Sequence, residues 1–373
     1  MNISTISSIE KAKNFSKKFF VDNSPFISFD FFKNLETSGC TDLNSGWLPE
    51  HIVFKKKDKI IGLIPNFKKL NSNGEYVFDH SFANAYHQIG LNYYPKYLSA
   101  IPFTPVTKDK FVYTNQKLNE DFFIKQLKSF LEKSCMSSFH LNFVNKRVSD
   151  LFEKFGFFKR LGIQYYWYNN DYDEFDSFLE MLKTRKKKNI IKERNFLKDN
   201  NISTTSKRGK EISKKDFDLF FNCYINTINK KWSIPYLKSS FFNYLLKSEI
   251  INNLLIIQAF YKKEFIGCSL HFIGNKTLYG RYWGCIKEVP FLHFELCYYS
   301  AIEFAIRNKL KKVEAGAQGE HKIARGYIPE LTYSNHLFKN EKLSEIINKY
   351  LEQEKEKIKE SLNFLEGYIP FKN

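Results

Sequence analysis

The segment VEAGAQGEHKIARGYIPELTYSNH, Val313 to His336, is unlike the rest of this chain. It sets Glu314, Glu320, His321, Lys322, Arg325 and His336 beside Gly316, Gly319 and Gly326, in a protein otherwise dominated by Phe, Tyr, Ile, Lys and Asn. Gly316 and Gly319 permit backbone conformations closed to other residues and let a ligand approach main-chain N–H groups. QGEHK, starting at Gln318, supplies an amide, a carboxylate, an imidazole and an ammonium in succession. Those are the parts of an acyl-transfer site. Glu320 or His321 can take a proton from an attacking amine, while N–H groups of the loop through Gly316, Gln318 and Gly319 hold the oxyanion. Lys322 and Arg325 can bind a phosphate or carboxylate of the donor. The competing reading is a charged loop that caps a strand end and pairs with itself. No HExxH or similar spacing points to a metal, and no GxSxG or Cys–His arrangement points to a protein nucleophile.

Two shorter motifs belong with this loop. GRYWG, Gly280 to Gly284, places Arg281 and Trp283 on one face of a strand and Tyr282 on the other, with Arg281 a further donor-binding cation. LHFE opens a helix with His293 and Glu295, and a glutamate there is also favoured simply by the helix N-terminus.

The elements that must position these residues read as two α/β halves. In the first, HIVFKKKDKIIGLIPNFKKL gives two strands turning at Lys57-Asp58-Lys59, and YVFDHS a third. Ala83 to Gly90 is a short helix. YYPKYLSAIPFTPVT, interrupted by three prolines, is an extended strand at an edge or in a cleft. EDFFIKQLKSFLEKS is a helix, SFHLNFV a buried strand, KRVSDLFEKF a helix and IQYYWYN a closing strand. In the second half, DEFDSFLEMLKTRKKKNIIKERNFLKDN reads as one basic helix and ISKKDFDLFFNCYINTINKKW as another. A three-strand meander follows over Leu254–Ile286, then a helix from about Leu292 to Asn308 and the strand KKVEAGAQ, which delivers the charged loop at its carboxyl end, where ligands gather in α/β sheets. The C-terminal segment from Asn340 is an amphipathic helix. The expected divisions are 1–168, 169–339 and 340–373.

Composition narrows the function classes. The 373 residues suffice for two domains with their own cores, and 43% hydrophobic and 17% aromatic content supplies the apolar surface. No run approaches a membrane span, and the polar N-terminus lacks the apolar block of a secretory signal. Six scattered cysteines without a CxxC pair read as reduced thiols, so a cytoplasmic location is expected. The net charge of +18 has two sources, AT-rich codon usage and an anionic partner, which charge alone does not separate.

Taken together, GRYWG, LHFELCYY, EAGAQGEHK and RGYIPELTYSNH resemble the FemAB-like family of N-acyltransferases of the peptidoglycan biosynthesis or recognition type, within the GNAT superfamily. WLPEHIVF, GEYVFD, GLNYYPK, PFTPVT and KTRKKKNIIKERNFL extend the resemblance over nearly the whole chain. It implies an α/β fold with mixed sheets: a tandem of two GNAT-like acyltransferase domains with a C-terminal helix. It implies acyl or aminoacyl transfer to an amine acceptor, a small molecule or a glycopeptide such as a peptidoglycan precursor. No tightly bound cofactor is expected; the co-substrate is aminoacyl-tRNA or acyl-CoA, and tRNA would meet the basic helix Lys183–Arg194. Asp79, Tyr93, Tyr94 and Lys96, with Trp283, His293 and Glu295, are the expected lining of an acceptor cleft.

Several positions depart from the family pattern. The glycine-rich loop that binds pyrophosphate in acetyl-CoA-dependent domains is replaced by CIKEVPFLHF, which argues against a conventional acetyl-CoA acetyltransferase. Asn71 and Tyr166 stand where the pattern carries histidines, and Lys108 where it carries glycine, so catalysis is expected to rest on Glu320 and His321. The alternative from another class is a non-catalytic module that recognises glycopeptide or nucleic acid.

Overall fold

A computed structural model describes residues 1–18, 24–113, 119–230, 232 and 234–372. The chain is an α/β protein with mixed sheets, and its contacts fall into two units. Phe26–Ile163 and Leu331–Ser361, with the N-terminal segment, make the first; Gln164–Glu330 and Leu362–Asn373 make the body of the second. The boundaries differ from the expected 1–168, 169–339 and 340–373. The chain after the charged loop goes back into the first unit, and only the end of the C-terminal helix belongs to the second.

Along the first unit run β1 (Asn2–Ile6), α1 (Phe29–Thr37), β2 (Trp47–Pro49), β3 (His51–Lys56), β4 (Lys59–Ile64), β5 (Phe67–Lys69), α2 (His80–Gln88), β6 (Lys96–Ser99), β7 (Val112–Tyr113), α3 (Glu120–Lys133), β8 (Ser138–Val144), α4 (Lys146–Lys154) and the start of β9 (Phe158–Tyr168). One sheet has the order β1-β3-β4-β7; Lys57 and Asp58, both at positive φ, close its β3–β4 turn as the sequence marks it. β8 is buried at every position and lies parallel to β6 across the crossover through α3. Phe123, Ile124, Leu127 and Leu131 of α3 pack there against Phe139 and Leu141.

Two expectations fail here. Tyr76–Ser81 is not a strand: Tyr76 takes φ 60°, in the left-handed region, and helix α2 already begins at His80. The proline-rich segment is not an edge. β6 lies between β5 and β8, and Pro95, Pro102 and Pro105 fall outside the four residues that carry the ladder.

The second unit continues with α5 (Phe175–Glu180), α6 (Thr184–Asp199), β10 (Ile202–Arg208), α7 (Lys214–Lys230), α8 (Ser239–Lys247), β11 (Leu254–Tyr261), β12 (Glu264–Ile273), β13 (Thr277–Cys285), α9 (Leu292–Phe294), α10 (Ser300–Arg307) and β14 (Lys312–Glu314). Its order is β10-β11-β12-β13-β14-β9, antiparallel except for the β13–β14 pair. The helix expected across residues 173–200 is two, because Leu182 leaves the helical path to bury itself and bridge Phe371. β15 (Ile328–Phe338) and α11 (Glu341–Glu366) complete the chain. Leu343, Ile347 and Leu351 of α11 pack on Phe82 and Tyr86 of α2, while Ile346 and Tyr350 remain exposed.

One glycine decides how α7 meets the sheet. A Cβ on Gly284 would stand 2.1 Å from the carbonyl oxygen of Cys223, a backbone atom that cannot swing aside. Gly284→Ala is therefore expected to lower the unfolding free energy by about 1–3 kcal/mol in urea denaturation.

Candidate active site

The parallel strands β13 and β14 pair only from Thr277–Lys312 to Tyr279–Glu314 and then part. β13 runs on to Cys285, while the chain beyond Glu314 enters the loop at Ala315 and Gly316. Residues from both strand ends line a cavity of about 80 Å³ with Ser269 and His271 of β12 below it and Arg281, Trp283 and Tyr298 around it. Burial pushes the His271 imidazole down to about 4, so it is neutral near pH 7. Gly316 takes φ 84° and has open space where a side chain would be, which leaves the loop backbone accessible.

His321 stands on a 3₁₀ turn, Glu320–Arg325, held between Gly319 and Gly326 at positive φ. A Cβ on Gly319 would lie 2.5 Å from Cε1 of His321, so the glycine is what lets the ring rest against the loop. Nε2 of His321 is 2.9 Å from the Tyr298 hydroxyl. Partial burial first, then the cations Lys322 and Arg325, hold the imidazole below its ordinary range, leaving it an unprotonated acceptor near pH 7. Burial raises the Tyr298 phenol, so it keeps its proton.

Tyr298 owes its place to a π-helical turn, Glu295–Tyr299, inserted between α9 and α10. Residues five apart stack in such a turn, and the His293 and Tyr298 rings meet at 5.2 Å. His293 also lies 4.5 Å from Trp283, and its ring is 6.2 Å from that of His321. Tyr298 was legible only as part of LHFELCYY; an α-helical reading puts it on a different face from His293, so the motif did not single it out.

The structure redistributes the other residues expected at this site. Glu320 and Gln318 are exposed, and Glu320 makes no ion pair or hydrogen bond among the described residues. Lys322 is buried, with Nζ donating to the carbonyl of Gly316 at 3.0 Å; burial pulls it down to about 7, and its ammonium ties the loop together instead of facing a donor. Arg325 is sandwiched. It donates to the His321 carbonyl (2.9 Å) and to Glu193 (2.8 Å) and lies 3.4 Å above the Phe294 ring. Its expected contact with a donor phosphate is corrected to a brace under His321. Arg325→Leu would leave Glu193 without its cation in a largely buried position and is expected to cost about 3 kcal/mol of stability. Glu295 likewise does not line a cleft, because its carboxylate is engaged by Arg194 and accepts from Ser300. Arg281, Trp283 and His293 stay together at the cavity.

The first-unit residues form a network of their own. Lys96, fully buried, donates to Asp79 and to Glu75 (2.8 Å). Tyr93 donates to Asp79 (2.6 Å) and sits 2.9 Å from Nε2 of His140, whose Nδ1 meets Nδ1 of His336 at 2.6 Å. Tyr94 is half-buried against Ser72 (2.7 Å). Asp79, Tyr93 and Lys96 are thus occupied with one another, because a charge removed from water must be paired. His336, read with the charged loop in the sequence, belongs to this network.

On α6, Arg194 turns inward to Glu295 and Glu303. Arg185, Lys188, Lys192 and Lys198 are exposed and have no ion pair among the described residues. Among the described residues no helix is long and apolar enough to cross a membrane.

The sequence profile of the FemAB-like family, described as peptidoglycan biosynthesis/recognition, matches residues 5–373. FemX shares the fold at 12% identity, with a TM-score of 0.53 over 93% of this chain and 100% of its own. The C-terminal domain of a putative lysylphosphatidylglycerol synthetase from Agrobacterium fabrum is similar at 7% identity and a TM-score of 0.53, over 90% of this chain and 93% of its own. A conserved protein of unknown function from Bacteroides thetaiotaomicron is similar at 11% identity and a TM-score of 0.53, over 90% and 99%. No match is found among the curated proteins.

Proposed function

Since the chain belongs to the FemAB-like family of peptidoglycan biosynthesis/recognition, we propose that it is an N-acyltransferase that moves an acyl or aminoacyl group onto an amine of a peptidoglycan precursor. The observation that carries this reading is the His321–Tyr298 pair at the place where β13 and β14 part. A carbonyl placed in that opening meets Arg281 and the accessible backbone after Glu314, groups able to hold an oxyanion.

With its proton on Nε2, His321 donates to the Tyr298 oxygen and keeps Nδ1 as an acceptor. The amine attacks the acyl carbonyl and a C–N bond forms. Nδ1 takes the amine proton, the Nε2 proton passes to the Tyr298 oxygen, and the Tyr298 proton goes to the departing oxygen or sulfur as its bond to carbon breaks. Glu320 has no assigned step.

Because the imidazole is held low, kcat, read at saturation with the acceptor amine already bound in its neutral form, is expected to rise with pH through a limb lying below the ordinary histidine value of 6.5 and to be level by neutrality. A limb centred well above 7 would contradict His321 as the base. The test of the activity itself is mass spectrometry of UDP-linked and lipid-linked peptidoglycan precursors after incubation with charged tRNA or acyl thioesters. One acyl increment on a precursor amine is expected; binding of the precursor without any transfer would favour a recognition module instead.

The exposed cations Arg185, Lys188, Lys192 and Lys198 of α6, without ion pairs among the described residues, support tRNA as the carrier. Neutralising Lys188 and Lys192 together should flatten the slope of log K for tRNA against log salt by roughly one for each phosphate that is no longer neutralised. An unchanged slope removes α6 from the donor site.

A further inference from the structure

The segment that departs from a pyrophosphate-binding loop, Cys285–Phe294, builds a second cavity in the same unit, of about 690 Å³. Trp283, Val289, Phe291, Leu292 and Phe294 line it, and Trp283 and His293 are shared with the small cavity that holds Arg281 and Tyr298. That volume falls in the range of small-molecule sites. Resting on the acyltransferase reading, we infer that this cavity receives an apolar or aromatic side chain of the transferred acyl group, so that the protein selects hydrophobic acyl or aminoacyl donors.

Three observations point to that occupant. The charged pair on the lining, Lys230 and Glu288, is joined to itself, so that among the described lining residues no lysine, arginine or carboxylate is left without a partner of opposite charge. Burying a phosphate or an ammonium against such a wall without a partner is costly. Next, the N–H groups of Ile286, Lys287 and Leu292 donate to protein carbonyls, which removes those three from any cradle for pyrophosphate. Last, the Trp283 and His293 rings, tilted by 40° with centroids 4.5 Å apart, form a wall common to both cavities, so a carbonyl beside Tyr298 and Arg281 has its substituent directed past an aromatic surface. A chain placed there gains about fourfold in affinity for each methylene it buries.

The experiment is calorimetric titration of the full chain with N-acetylcysteamine thioesters of straight-chain acids from two to twelve carbons, with adenosine as a control, alongside transfer of the same acyl groups to a peptidoglycan precursor. Kd is expected to fall about fourfold per methylene up to a limiting length, with adenosine weaker than the long chains, and Val289→Trp is expected to shorten that limit. The wild-type series decides the matter even if the variant fails to fold. Affinity independent of chain length, or adenosine binding more tightly than every thioester, overturns the assignment. If short acyl groups are nonetheless transferred, only the pocket assignment falls. If long chains bind tightly and nothing is ever transferred, the acyltransferase reading falls and takes the acyl assignment with it.

Discussion

Replacing His321 with asparagine lowers the rate of acyl transfer by roughly 10²- to 10⁴-fold, the range a general base supplies. The fold should survive, because His321 is exposed and among the described residues its one side-chain hydrogen bond is to Tyr298. Asparagine keeps a polar side chain beside Tyr298 but has no nitrogen that accepts a proton at neutral pH. Substrate binding should change little, so the loss appears in kcat more than in KM. Glu320→Gln is the matched control. Its carboxylate is exposed and joined to nothing among the described residues, and the rate should stay within about threefold of wild type. Tyr298→Phe falls between the two, since the leaving oxygen or sulfur can draw its proton from water at a reduced rate.

Lys96→Met should be the most destabilising single change in the first unit, costing about 3–5 kcal/mol, the range for removing one partner of a buried ion pair. The lysine is fully buried between Asp79 and Glu75, and deleting its charge leaves Asp79 without its cation and Glu75 with the more distant Lys69 at 3.8 Å. A double variant that also carries Asp79→Asn, with Glu75 left to the buried Lys69 (3.8 Å), separates charge from volume: it should recover much of the stability, whereas a deficit caused by poorer packing would persist. The same network gives stability a pH dependence. Burial holds His140 down to about 3 and His336 below its usual range, so the unfolded chain binds these protons first. Their contribution is complete above about 6.5 and drains away as pH falls from there towards 3. Asp79 is held low too: burial by itself would raise it, but Lys96, His140 and the hydrogen bonds from Lys96 and Ser72 together outweigh that, and the contribution is lost below the ordinary aspartate value. Glu75, raised to about 7 by burial, acts in the opposite direction, taking up its proton in the folded state between about 7 and 4.5. With two buried histidines against one glutamate, melting temperature should decline on acidification below about pH 6.

Local features were legible where the residues themselves dictate the geometry. The seven residues of SFHLNFV form a strand buried throughout, and Lys57-Asp58 closes a hairpin at positive φ where the polar turn residues stand. Patterns that depend on distant partners were not. The charged loop holds many ionisable groups, yet Glu314 pairs with Lys312, Lys322 closes on Gly316, Arg325 braces Glu193 across 132 positions, and His336 meets His140 across 196. Only His321 is left facing a candidate proton path. Nothing in residue type separates a catalytic cation from one spent on a carboxylate far along the chain. The π turn that brings Tyr298 to His293 is invisible for a related reason: one inserted helical residue changes which side chains share a face without changing any composition.

Chemical rescue bears most directly on the role given to His321. A His321→Ala variant, assayed for transfer to a peptidoglycan precursor in the presence of imidazole and its methylated relatives, should be restored at least about tenfold, with the rate following the basicity of the added imidazole. A variant that retains the wild-type rate with no imidazole present would contradict a proton path through His321 and Tyr298.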